Sequence, residues 1–136
     1  KFGEGWRAWI VCITTLIYVP TGYFCYTSTD PTLAGFWFIG PGALGGVYLG
    51  INAAILQTLM PLEMRAVGAA INLFCLNIIG LGLGPLSVGM ISDLANPTHG
   101  QDALRLGLLF TLIIMTWGAI HQLRVGALLN QRQMAT

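Results

Sequence analysis

The chain has 136 residues, 55% of them hydrophobic and only 8% charged, with a formal net charge of +1. A soluble domain carries about 25% charged residues, so a water-soluble fold built from this composition would lack the polar surface to cover itself. Near-neutral charge without a basic stripe also leaves nothing on which nucleic-acid phosphates could release counterions, which excludes nucleic acid as a partner.

Four long apolar runs, 8–26, 34–59, 66–91 and 104–125, account for the composition. None contains Asp, Glu or Lys, and their only arginines, Arg105 and Arg124, stand at the ends of the last run. At about 1.5 Å of rise per residue, runs of this length cross a hydrocarbon core roughly 30 Å thick. A soluble helical bundle would need polar outer stripes, and these runs are apolar around most of their circumference. The predicted class is all-α, a polytopic membrane protein with four transmembrane helices whose first partner is the lipid bilayer.

The first span carries Trp9 toward one interface and Tyr23 and Tyr26 toward the other, as anchoring aromatics do. Pro20 and Gly22 predict a bend in its second half, because proline removes one backbone hydrogen bond and clashes with the preceding turn.

The second span holds Gly35, Gly40, Gly42, Gly45, Gly46 and Gly50 together with Pro41. Gly42, Gly46 and Gly50 recur every four residues, on one helix face. Such a stripe lets a neighbouring backbone approach closely. A second reading is that the glycines around Pro41 flex during a transport cycle while Tyr48 and Asn52 offer polar groups to an internal cavity.

The third span follows Arg65 and carries Asn72 and Asn77, then the glycine-rich run 80–89 with Gly80, Gly84 and Pro85. Asn77, Gly80, Gly84 and Ser87 share a stripe, so that face should meet another helix or water. Interhelical hydrogen bonding by the amides and contact with a substrate are both open. Ser92 and Asp93 are expected to close this span, and Asn96-Pro97 to begin a polar turn to Asp102. The fourth span is Leu-rich, without glycine over 108–117, and predicts a peripheral helix facing lipid; His121 near its end is expected at the solvated interface.

If the spans alternate, Lys1, Arg7, Arg65, Arg124 and Arg132 share one side and only Arg105 lies opposite. The positive-inside rule makes that side, with both termini, cytoplasmic. The chain opens on Lys1 and enters its first span within ten residues, which predicts a piece of a longer protein, residues 1–136 forming part of its C-terminal transmembrane domain. Cys12, Cys25 and Cys75 lie inside spans and have no metal-ligand spacing with each other or with His99 and His121, so neither a metal nor a cofactor is expected. No carboxylate lies deep in a span to couple protons or sodium, and no nucleophile with an orienting base or nucleotide-binding motif is present, so an enzyme is not expected.

The stretch Pro61-Leu62-Glu63-Met64-Arg65-Ala66, followed by Asn77, Gly80, Gly84-Pro85, Val88-Gly89 and Ser92-Asp93-Leu94, resembles the tenth-to-eleventh helix region of major facilitator superfamily transporters, nearest to bacterial members of the Spinster-like branch. The resemblance implies helices nine to twelve of a twelve-helix secondary transporter in a bacterial inner membrane, with the missing N-terminal helices as partners. It implies a small or lipid-like substrate, since that branch is associated with export of lysophospholipids and sphingoid lipids. In that frame the tenth helix lines the central cavity, which makes Trp37, Tyr48 and Asn52 cavity candidates and Arg65 a residue of the cytoplasmic loop or gate. The rival expectation is a free-standing four-helix membrane protein, either a small dimeric exporter or a non-catalytic subunit.

Overall fold

A computed structural model describes the backbone of residues 5–134 and the side chains of residues 5–131. Lys1 therefore lies outside the described residues, as does the side chain of Arg132. The described chain is helical nearly throughout: α1 (Trp6–Thr27), α2 (Pro31–Leu59), a 3-10 turn (Leu62–Met64), α3 (Arg65–Cys75), a π-helical segment (Leu76–Leu83), α4 (Gly84–His99), a second 3-10 turn (Gly100–Asp102) and α5 (Ala103–Met134). In a bilayer each backbone polar group must be bonded inside the protein, and helices do this within the segment.

Three helical stretches are long and apolar enough to cross a membrane: Trp6–Thr27, Pro31–Leu59 and Leu62–Gln131. The third, of 70 residues, doubles back at Gly100, because Gly107 of α5 lies against the Val88 carbonyl of α4. Gly100 takes φ +53, the one positive φ among the described residues, and its N–H closes α4 on the Asn96 carbonyl. A side chain there would be strained, and glycine makes the reversal without that cost.

Element ends depart from the sequence expectation in two places. Helix α2 starts at Pro31 rather than 34, because Asp30 caps it: the Thr32 N–H donates to Asp30 Oδ1 at 2.8 Å, and Pro31 sits at the first helical position, where a missing N–H costs nothing. Helix α4 does not end at Asp93 or turn at Asn96-Pro97 but continues to His99. Pro97 falls in its last turns, close to the end, so it does not prevent helix from reaching Gly100. Before Pro85 the chain widens into the π segment, in which a carbonyl is served by the N–H five residues on rather than four.

The chain forms two compact units, 1–55 with 113–136 and 56–112. In the first, α1 runs alongside the C-terminal half of α5: the Gly5 N–H donates to Asn130 Oδ1 at 2.8 Å, and Gly126 receives the Trp9 indole. The start of α2 packs on the end of α1 through stacked Phe24 and Trp37, ring centroids 5.0 Å apart, and through Thr21 against Gly40. In the second unit Met60 reaches over Gly68, and α5 begins against α4 through Ala103 and Gly107.

The fourth apolar run packs on one side and presents large apolar side chains on the rest of its surface. Ala103, Leu112 and Ala119 of α5 are buried, with Gly107 and Gly126. Small residues and Leu112 set the buried side of this helix, and other leucines, such as Leu104, Leu123 and Leu128, lie exposed. Large apolar side chains are exposed along every long helix, as expected where lipid rather than water is the surrounding solvent.

Candidate functional site

Within the first unit a cavity of about 510 Å³ lies among α1, α2 and the C-terminal half of α5, in the size range of small-molecule sites. Leu44, Ile114, Met115 and Ala119 supply its apolar wall, and Pro41, Gly45 and Gly118 leave room by having little or no side chain. Its polar groups are the hydroxyls of Thr14 and Thr15, the phenols of Tyr18 and Tyr48, and the amide of Gln122. Among the described residues no acid, Lys, Arg or His is in the lining.

The helices place these groups at one level. Gln122 is eight residues from Asn130, or about 12 Å along α5, and Thr14 is nine from Gly5 along the antiparallel α1. Thr14 and Thr15 both donate to the Val11 carbonyl, at 2.9 and 2.8 Å, which satisfies their protons and leaves their oxygen lone pairs toward other donors. Gln122 Nε2 donates to Asn52 Oδ1 of α2 at 3.0 Å, tying α5 to α2. The rest of this amide pair is unsatisfied: Asn52 Nδ2 and Gln122 Oε1 are buried without a partner.

Of the residues singled out from sequence, Tyr48 lines the cavity and Asn52 holds its Gln122. Trp37 stands outside the lining, in the aromatic cluster with Phe24 and Phe36. Gly42, Gly46 and Gly50 face open space, where an added Cβ would meet at most Phe38 of their own helix, at 4.0 Å. Gly80 and Gly84 are equally open, Asn77 Nδ2 donates to the Leu73 carbonyl at 2.7 Å within its own helix, and Pro85 is the second residue of α4. Arg65 Nε donates to the Met60 carbonyl at 3.4 Å, bracing the turn between α2 and α3. His121 stacks edge-on against Trp117, centroids 4.6 Å apart. Gln122 and the Thr14-Thr15 pair are not among the residues expected from sequence, although Gln122 is an amide inside an apolar run just as Asn72 and Asn77 are. Among the described residues no group of His, Cys, Asp or Glu is placed to hold a metal, and Cys12, Cys25 and Cys75 are free thiols.

A protein described as an MFS-type efflux pump of Mycolicibacterium smegmatis is 33% identical over 110 residues, which cover 81% of this chain and 25% of that protein. The chain is a distant homologue of an MFS-type efflux pump. It spans about a quarter of the length of that relative. No family model matches the chain, and no solved structure does. The homology is at the level of the superfamily and concerns transporters, a family not known to catalyse chemical reactions. Three apolar membrane-length stretches and a bacterial relative support an integral position in a bacterial membrane.

Proposed function

We propose that the chain is the C-terminal part of a secondary transporter of the MFS type, which moves a small or amphipathic molecule across the bacterial inner membrane by alternating access. The homology to an efflux pump over 110 residues carries this reading. Four membrane passes, equivalent to helices nine to twelve, follow if the long third stretch crosses once before Gly100 and once after it. The Spinster-like resemblance of 61–94 favours a lipid-like substrate, and the distribution of basic residues favours cytoplasmic termini. Within this reading Tyr48 and Asn52 belong to the wall of a substrate cavity, Trp37 to its outer rim, and Arg65 to a cytoplasmic loop. Gly42, Gly46, Gly50, Gly80 and Gly84 present close-packing faces to the helices that precede this segment, with Asn77 on the same side and Pro85 bending its helix.

Two experiments test this. The reading frame upstream of the Lys1 codon should encode about eight more apolar spans, matching the relative's length; a start codon within a few residues would favour the free-standing four-helix protein instead. The full-length protein in proteoliposomes should then export a fluorescent lysophosphatidylcholine, and Gly46→Leu should depress that export at least about tenfold by overpacking a close helix contact. Wild-type transport and expression in that variant would remove the packing role of the glycine stripe.

A further inference from the structure

The amide pair beside the cavity is half satisfied, and the missing half has a definite chemistry. The Asn52 Nδ2 group and the carbonyl oxygen of Gln122 are both buried without partners, on two side chains joined by a hydrogen bond of 3.0 Å. Turning both amides over exchanges the roles but again leaves one donor and one acceptor open, so the deficit does not depend on which amide atom is oxygen. Inside an apolar bundle such orphans are costly, and a hydroxyl, which donates one hydrogen bond and accepts another, can serve a donor and an acceptor alike. Gln122 is itself a lining residue, and Asn52 is bonded to its amide.

The remaining lining restricts the rest of the ligand. Leu44, Ile114, Met115 and Ala119 present an apolar wall, and Thr14 and Thr15, whose protons are engaged by the Val11 carbonyl, offer only lone pairs to a second hydroxyl. With no acid or base among the described lining residues, a charge on the bound portion would have no counter-ion there and would lose its hydration uncompensated.

We infer that this cavity binds an uncharged amphipathic molecule, an apolar chain or ring system ending in one or more hydroxyls, with the Asn52–Gln122 pair holding a hydroxyl. The site rests on the membrane-spanning reading but not on transport, and binding and export are measured separately, so one can fail without the other.

The test is equilibrium binding of tritiated monolaurin to the purified full-length protein in nanodiscs, with three twelve-carbon comparison probes. Propyl laurate lacks the hydroxyls, laurate carries a negative charge and dodecyltrimethylammonium a positive one. Monolaurin should bind about fivefold or more tighter than propyl laurate, the worth of one or two hydrogen bonds, and the charged probes should compete more weakly still. Gln122→Leu should abolish the preference for monolaurin over propyl laurate while leaving propyl laurate binding nearly unchanged. Gly118→Leu should weaken both by about tenfold or more by filling the cavity, and an added Cβ at Gly118 meets nothing within 4 Å, so the fold should accept it. Gly45→Leu, at a second open lining position, repeats the test should Gly118→Leu fail to incorporate into nanodiscs. Equal binding of monolaurin and propyl laurate, with the amides served by water, would overturn the proposal, as would charged probes that bind as tightly or monolaurin binding insensitive to both filling variants.

Discussion

Helix α2 is crowded with glycines whose faces are open, whereas α5 has few glycines and two of them are filled. At Gly42, Gly45, Gly46 and Gly50 an added Cβ would meet no neighbouring element, while at Gly107 it would fall 2.6 Å from the Val88 carbonyl and at Gly126 it would enter the Trp9 indole. The number of glycines in a run therefore does not locate packing within this chain. What locates it is whether a backbone or large side chain from another helix needs that space, and a periodic stripe does not reveal that by itself.

Substitutions can break this contrast. Gly126→Leu should be the most damaging, because both the Trp9 ring and the Gly5 carbonyl stand in its way; a loss of about 3 kcal/mol is expected in the unfolding of the full-length protein. A variant as stable as wild type would show that α1 and α5 are not held together at Gly126. Gly107→Leu meets the Val88 backbone, which yields less readily than a side-chain tip, and should cost about 2 kcal/mol by the same measurement.

Gln122→Leu removes one interhelical bond and leaves Asn52 without its partner, for an expected loss of about 1 kcal/mol. The double variant Asn52→Leu with Gln122→Leu should recover most of that loss, because no unpaired amide then remains. If the double variant were instead less stable than either single one, the pair would contribute net stability. The smallest effect belongs to Gly89→Ala, at an open position of α4, where a stabilisation of up to about 1 kcal/mol follows from the lower backbone entropy of alanine. A measurable loss there in the full-length protein would mean that a helix outside this chain covers the face.

Much of the fold was legible because hydrocarbon imposes simple constraints. Spans 8–26 and 34–59 coincide with α1 and α2 to within a few residues, since an apolar run in a bilayer has almost no alternative to helix. The ends were less legible. Asp30-Pro31 capping and the Gly100 reversal depend on a few hydrogen bonds and one dihedral angle, whereas hydropathy averages over many residues. The π segment before Pro85 was also out of reach, because periodicity marks a face but not which carbonyl each N–H meets.

The site divides in the same way. Tyr48 and Asn52 stood out as polar groups in an apolar run, but the importance of Asn52 comes from Gln122, 70 positions away on α5. No local pattern joins two such amides. Thr14 and Thr15 are ordinary helix hydroxyls until α2 and α5 close a cavity beside them.

The sequence by itself determined that this is a helical membrane protein, where its apolar stretches lie and how its basic residues are distributed, because burial in lipid depends on composition summed along a segment. Only the tertiary structure decided which glycines are filled, that α5 is a packing helix, and that an amide pair with a donor and an acceptor to spare stands beside a neutral cavity. Those properties depend on which atoms of distant segments come within a few ångströms of each other, and separation along the chain carries no record of that.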